Sequence, residues 1–360
     1  DNDNDNDRES DSDDDMGGVP RRMLVEDDDD DEDLDDDKTG ADSQVPYHRY
    51  GHTVVAYEGR AYLWGGRNDD NGASDALHCF DPLTHRWTEV RATGRSPPAR
   101  DGHSALVYKG RMIIFGGFEE DQQRFSQDTF EFDFATNTWT ELMTIGDKPM
   151  WRDFHTACVL NDKMYVFGGR SDQMGPYHST RDTYDSSLRV LDLKKYEWSF
   201  VKANGTIPSG RRSHSAFTYK GRMFIFGGFL GTSKCHFNDM YSFDPTTAKW
   251  EKHIPYGIGP CERRRQCTVV CGDRLFLFGG TRPTPNAGPA NISTPGLSDL
   301  SDLFVLDLNP TLYRLAARAV IDSNVYKRYI YAIPKEIRED LCNMTGKTAT
   351  GLNGVRSRGA

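Results

Sequence analysis

GRMIIFGG, residues 110–117, decides the fold, because the chain repeats it in close variants four more times. The other copies read GRAYLWGG (59–66), DKMYVFGG (162–169), GRMFIFGG (221–228) and DRLFLFGG (273–280). Their glycine pairs lie 51, 52, 59 and 52 residues apart, and self-similarity at such a period marks an array of like units. Upstream of each copy stands a second short run: GHTVVAY from Gly51, GHSALVY from Gly102, FHTACVL from Phe154, SHSAFTY from Ser213 and QCTVVCG from Gln266. Downstream, a third run ends in Asp, and six residues beyond it comes Trp87, Trp139, Trp198 or Trp250. Each unit therefore offers four short β-branched and aromatic runs separated by turn residues, the pattern of a four-stranded sheet. The glycine pair admits positive φ and close approach of neighbouring strands. The late Trp supplies a large apolar anchor from one sheet to the next.

A period near 50 with three markers in fixed order resembles the kelch repeat, whose units form the blades of a β-propeller. The fold expected is all-β, a kelch-type propeller over residues 46–308. The resemblance implies six blades. Four complete units are visible, with a fifth lacking its last strand: Asp307 is followed six residues on by Tyr313, which already lies in helical sequence.

Outside the repeats, charge is unevenly divided. The net charge of −11 comes from residues 1–45, with 21 acidic and 4 basic side chains; the remainder has 34 acidic and 40 basic. Such an Asp-rich, aromatic-poor segment cannot bury enough apolar surface to offset its ordering entropy, so 1–45 is expected to be a disordered tail. Its opening DNDNDND lacks the glycine and terminal glutamate of a calcium loop. No run is long enough to span a bilayer, and no signal peptide is visible. Seven cysteines without a C-x-x-C pair fit reduced thiols of the cytoplasm or nucleus. The sequons at Asn204, Asn291 and Asn343 are then expected to be chance matches.

His52, His103, His155 and His214 share one repeat position. Four copies at one position imply a structural hydrogen bond between blades, not catalysis. No metalloenzyme, paired-carboxylate or nucleophile signature appears, so a non-catalytic protein without cofactor or metal is expected.

Just before that position the loops read Arg49-Tyr50-Gly51, Arg100-Asp101-Gly102, Arg152-Asp153-Phe154, Arg211-Arg212-Ser213 and Arg264-Arg265-Gln266. After the glycine pairs come Arg67, Phe118, Arg170, Phe229 and Thr281. The kelch resemblance places both sets of loops at the mouth of the central channel. Arg49, Arg100, Arg152 and Arg211 recur and are expected to be structural, pairing with backbone between blades. The expected ligand-binding set is Tyr50, Arg67, Asp101, Phe118, Asp153, Phe154, Arg170, Arg212, Ser213, Phe229 and Arg265, since arginines fork carboxylates and aromatics supply walls. The modest positive charge of the body, joined to an acidic tail, disfavours nucleic acid, and no membrane partner is expected.

After the last strand the apolar period changes to about 3.6. Leu312, Leu315, Ala316, Ala319 and Val320 form one helical stripe. Ile333, Ile337 and Leu341 form another, with Pro334 at a helix start. Thr311-Leu312-x-x-x-Ala316-x-x-x-Val320 is similar to an elongin-binding box, and Ile333-Pro334-x-x-Ile337-x-x-x-Leu341 to a cullin-2 box. Both in order behind a propeller resemble the kelch-domain substrate receptors of cullin-2 ubiquitin ligases. The resemblance implies elongin B/C and cullin-2 as partners over residues 309–344. It further implies binding of substrate proteins through carboxy-terminal degrons that end in Gly after a basic or polar residue. Asp101 and Asp153 are the candidate acceptors for that preceding residue. A kelch scaffold for cytoskeletal or chromatin partners is the alternative. Residues 345–360 are expected to form a flexible tail, whose Arg-Ser-Arg-Gly-Ala end is a weak competitor for the mouth.

Overall fold

The computed structural model describes residues 44–284, 296–323, 329 and 332–345. The expectations for residues 1–43 and for the carboxy-terminal tail from 346 therefore lie outside the described residues. The chain divides into two compact units, one of residues 1–270 and 276–304, the other of 271–275 and 305–360.

The repeats fold into the antiparallel blades expected of a kelch propeller. The first is Thr53–Tyr57, Arg60–Trp64, Leu77–Asp81 and Arg86–Glu89, hydrogen-bonded in that order. The second is built likewise from Ser104–Tyr108, Arg111–Phe115, Thr129–Asp133 and Thr138–Glu141. The third runs from Thr156–Leu160 to Glu197–Val201, and the fourth from Ser215–Tyr219 to Lys249–His253. The fifth sheet has three strands, Cys267–Cys271, Arg274–Phe278 and Leu303–Asp307. It stops short of a fourth strand, as the loss of its Trp predicts. A sixth blade is not among the described residues.

The Trp anchors join one blade to the next. Trp139 meets Trp64 of the preceding blade at 5.7 Å between ring centroids, Trp198 meets Phe115 at 5.0 Å, and Trp250 meets Phe167 at 5.2 Å. All six rings are almost fully buried, so each contact couples aromatic geometry to a large apolar area removed from water. Where the series ends, the rings open. Phe278 is the fifth blade's counterpart of Phe115, and with no later Trp above it 55% of its surface is exposed. Trp87, with no earlier blade before it among the described residues, packs on Phe80 of its own sheet.

One joint was not visible in the sequence. Thr93–Gly94, Ile145–Gly146 and Asn204–Gly205, in the linkers between blades, each pair in parallel with the Trp strand of the following blade. The glycines have φ of +83°, +85° and +81°. A Cβ at any of them would overlap the carbonyl oxygen of Trp139, Trp198 or Trp250, which is why only glycine fits.

In the second unit, Thr311 caps a helix, Leu312–Asp322, its side chain accepting from the Arg314 amide. A second helix, Lys335–Thr345, starts after Pro334, whose carbonyl accepts the Arg338 amide. Tyr313 of the first donates to Asp340 of the second at 2.8 Å.

Candidate functional site

Four layers of side chains are stacked around the inner ends of the first strands, which lie side by side from blade to blade. The innermost structural layer is the repeated histidine. His103 Nε2 is 2.7 Å from Thr53 Oγ1, His155 Nε2 is 2.8 Å from Ser104 Oγ, and His214 Nε2 is 2.7 Å from Thr156 Oγ1. Each bond crosses to the preceding blade, as the repeat position implied. Burial, followed by the Arg211 charge, pushes His214 down to about 3, so the ring stays neutral and serves packing.

Next comes the repeated arginine. Arg100 donates to the Gly116 carbonyl at 3.0 Å, Arg152 to Gly168 at 2.8 Å, Arg211 to Gly227 at 3.0 Å and Arg263 to Gly279 at 2.9 Å. Each also pairs with a carboxylate of its own blade: Glu119, Asp185, Asp239 and Asp302. The structural role holds, with two corrections. These side chains work within one blade; the crossing is made by their backbone carbonyls, which accept from Gly66, Gly117, Gly169 and Gly228 of the blade before. The fifth member is Arg263, so the fifth loop reads Arg263-Arg264-Arg265 and Gln266 stands in the histidine layer. Three consecutive arginines hid that one-residue shift.

The residue after each structural arginine bridges to the first residue beyond the glycine pair. The couples are Tyr50 with Arg67, Asp101 with Phe118, Asp153 with Arg170, Arg212 with Phe229 and Arg264 with Thr281. The next residue of each loop joins a row that runs from blade to blade. Gly51, Gly102, Phe154, Ser213 and Arg265 all have φ between +49° and +67°. Gly102 N donates to Gly51 O, Phe154 N to Gly102 O, Ser213 N to Phe154 O and Arg265 N to Ser213 O, at 2.7–2.9 Å. Phe154, Ser213 and Arg265 therefore hold a left-handed conformation costly for residues with a Cβ, and the head-to-tail bonding fixes them there.

These layers bring ten of the eleven expected rim residues into adjoining couples and row positions; Arg265 joins them one place later in its loop than expected. Charge is unevenly distributed between blades. On the second and third blades Asp101 and Asp153 are both buried. Arg170 clasps Asp153 with Nη2 at 2.6 Å from Oδ2 and Nε at 3.2 Å from Oδ1. Burial opposes the Arg170 charge, but Asp153 outweighs it and raises its pKa. Asp101 is raised to about 7, first by burial and then by Asp153. Across the mouth, the fourth and fifth blades bring cations together. Arg264 lies 4.6 Å and Arg212 5.5 Å from the Phe229 ring centroid, and Phe229 faces His236 at 4.6 Å. Burial first, then Arg264, Arg212 and Arg265, lower His236 to about 4. Arg265 keeps solvent access, yet the surrounding protein and Arg212 both lower its pKa.

Sequence reasoning missed Arg264, His236 and Tyr184. His236 enters on a small hairpin, Phe229–Leu230 with Cys235–His236, that follows the glycine pair. Tyr184 ends the equivalent turn of the third blade and lies close enough to Arg212, Asp182 and Arg170 to feel their charges. Variable turn length kept both from repeating in register. The arrangement makes no bond chemistry evident; it offers a cationic sector, an acidic sector and aromatic walls, which suit a ligand bearing both an anion and a cation.

In the second unit the stripe Leu312, Leu315, Ala316, Ala319 stays exposed, Leu312 at 83%, while Ala317 is buried. Val320 and Ile333 are half-buried and Ile337 is exposed. Leu341 is buried, so of the expected cullin-binding set it is the one held inside.

Comparison with known proteins agrees with the fold. The KLHDC2/KLHL20/DRC7 Kelch-repeats domain model matches residues 51–280. Kelch domain-containing protein 3 of Homo sapiens is 44% identical over 315 residues, 88% of this chain and 81% of that protein. The Bos taurus protein of the same name matches equally. Host cell factor 1 of Homo sapiens is 27% identical over 258 residues, 68% of this chain and 12% of that protein. On the extent of the domain match and the identity to those relatives, the chain belongs to the kelch-repeat family.

Proposed function

We propose that this kelch protein is a protein-binding, non-catalytic substrate receptor of a cullin-2 ubiquitin ligase. In this reading the propeller mouth holds the carboxy-terminal end of a substrate, and the helices after residue 310 dock elongin B/C and cullin-2. The observation that carries it is the open stripe on the Thr311-capped helix. A helix kept only for stability would turn Leu312, Leu315 and Ala316 inward; here the buried position is Ala317 and those three face solvent. Thr311, Leu312, Ala316 and Val320 are the elongin-binding residues proposed, and Ile333, Pro334 and Ile337 the cullin-binding ones, with Leu341 seating the helix.

The mouth supports the other half of the reading. A free α-carboxylate is a compact anion that Arg212, Arg264 and Arg265 can fork, and a terminal glycine lets the backbone approach closely. Binding a substrate there raises its effective concentration beside a ubiquitin-loaded partner. Cytoplasm and nucleus are the compartments proposed. The test is co-purification with elongin B/C. Leu312→Ala combined with Ala316→Asp removes an anchor and places a charge in an apolar interface, each costing about 2 kcal/mol or more. The double variant should lose elongin and keep its fold by circular dichroism. Retained elongin, or none on the parent chain, removes the ligase reading and leaves a kelch scaffold.

A further inference from the structure

Like charges crowd the basic sector of the mouth. Arg212 and Arg264 share the Phe229 ring, and together with Arg265 they depress His236. Lys234 sits in the turn of the hairpin that carries His236. Arg265 and Lys234 are exposed and make no ion pair within 4 Å among the described residues. Asp182 is drawn by Arg212, while Asp299 and Asp101 attract Arg265. Guanidiniums gathered in this way repel one another and favour an anion placed between them.

The chain itself tethers an anion beside that sector. Residues 26–37 read EDDDDDEDLDDD, eleven acids in twelve positions. The stretch that follows is pinned to the rim of the first blade. Tyr47 donates to the Gly72 carbonyl at 2.9 Å, Asn68 donates to the His48 carbonyl at 2.8 Å, and Tyr50 and Arg67 exchange backbone bonds at 2.9 Å. Tyr50 is close enough to Arg265 to couple with it electrostatically. Tyr47 follows Asp37 by ten residues, a span of at most about 35 Å. The acidic side of the mouth, with Asp101, Asp153 and Glu120, repels such a segment and leaves it the basic side. Turns at the other ends of the strands also carry cations, but carboxylates already answer them: Asp162 pairs with Lys109 and Lys194, Glu131 with Arg111, and Asp244 with Arg222.

We propose that the acidic segment 26–37 is an internal occupant of the basic sector: its carboxylates bind Arg264 and Arg265 and yield to a ligand that brings a better-placed anion. An aspartate side chain offers a guanidinium the same forked acceptor as a terminal carboxylate does. The contact itself stands apart from the carboxy-terminal peptide reading above; only its consequence, competition with that peptide, rests on it. A short tether gives an effective concentration on the order of 1 mM. A contact of only about 0.1 mM affinity then costs a competing ligand roughly tenfold. Arg265 is open to solvent, so the contact weakens as salt rises. The segment thereby excludes weak anions and admits a ligand that binds more tightly than it does.

The experiment compares the full chain with a full-length neutral-tail variant carrying Glu26→Gln, Glu32→Gln and Asp→Asn at the nine aspartates of 27–37. A fluorescent synthetic peptide of residues 26–37 is titrated onto each, by anisotropy, at about 50 and 300 mM salt. The neutral-tail variant should bind it about tenfold tighter than the parent at low salt and lose most of that advantage at high salt. Adding Arg264→Ala and Arg265→Ala to the variant should weaken the peptide by about tenfold; adding Lys194→Ala and Lys195→Ala, at the opposite ends of the strands, should not. No binding by the neutral-tail variant, or binding lost with the lysines and kept without the arginines, overturns the proposal. A second probe, a peptide ending in glycine with a free carboxylate, separates the two readings. Tighter binding by the neutral-tail variant supports competition, and equal binding overturns it. If neither chain binds that peptide while the acidic one behaves as expected, the carboxy-terminal reading fails and the contact stands. Should the arginine variant not fold, carbodiimide coupling in the parent decides. Joining of 26–37 to Lys234 supports the contact; joining to Lys194 or Lys195 alone, or to none of the three, overturns it.

Discussion

Arg211 and Arg212 are neighbours in the chain, both buried, and they show how the two sides of one loop divide their work. Arg211 is held by the Ser209 and Gly227 carbonyls, by the Asp239 carboxylate and by the Phe237 ring at 3.9 Å. The two carbonyls recur in the other complete blades, and a carboxylate recurs in the second and third, so repetition constrains the residue. Arg212 stands in a couple occupied elsewhere by Tyr50, Asp101, Asp153 or Arg264. It lies over Phe229 beside two other guanidiniums. Repetition fixes the first layer as architecture. Variation frees the second to recognise something.

The largest effect expected is on the architectural side. In Arg100→Ala, Glu119 and the Gly116 carbonyl lose the guanidinium that satisfied them; Arg100 and Glu119 are both fully buried. Breaking a buried pair from one side costs about 3–5 kcal/mol, although Arg124 still holds Glu119 at 2.8 Å. Urea unfolding of the variant measures it. A loss below about 1 kcal/mol would erase the distinction between the layers.

Arg212→Ala should behave in the opposite way. Stability stays within about 1 kcal/mol of the parent, because relief of the repulsion from Arg265 offsets the attraction lost to Asp182. Affinity for an acid-ended peptide falls by about 1.5–3 kcal/mol, the worth of a charge-assisted bond in a desolvated site. A second readout separates this from simple loss of packing. Arg212 is one of the charges that depress His236, so removing it should move the His236 titration upward from about 4 in proton NMR. A stationary titration would mean that the basic sector is not assembled as described.

The division between layers also explains what the sequence disclosed. The glycine pairs, the Trp anchors and the histidine row repeat, because each meets its counterpart in the adjoining blade and is constrained by it. Their role was readable from spacing alone. The linker glycines at 94, 146 and 205 repeat too, but their requirement comes from backbone pairing that no side chain advertises. The rim was legible only in part. Arg264 was misplaced because Gln266 replaces the histidine that registers the other loops, and His236 and Tyr184 ride on turns of unequal length. Polarity between the acidic and basic blades is a property of which blade carries which residue, and a repeat pattern averages it away.

The smallest effect tests whether the architectural layer is uniform. Arg49 holds the first blade's copy of the position filled by Arg100, and it donates to the Tyr47 and Gly65 carbonyls at 3.1 and 3.2 Å. Its guanidinium carbon sits 3.8 Å over the Tyr47 ring. Unlike the other four it has no carboxylate within 4 Å among the described residues, and it is only half-buried. Burial lowers its pKa, and Tyr47 beside it opposes that only in part. In Arg49→Ala the carbonyls left behind are partly open to water and no buried charge is stranded. The loss should be near 1 kcal/mol, about that of an ordinary hydrogen bond, and should not grow at low salt. Unfolding of Arg49→Ala and Arg100→Ala under identical conditions supplies the comparison. Equal losses would show that the shared carbonyl contact, and not the buried carboxylate, sets the worth of the layer.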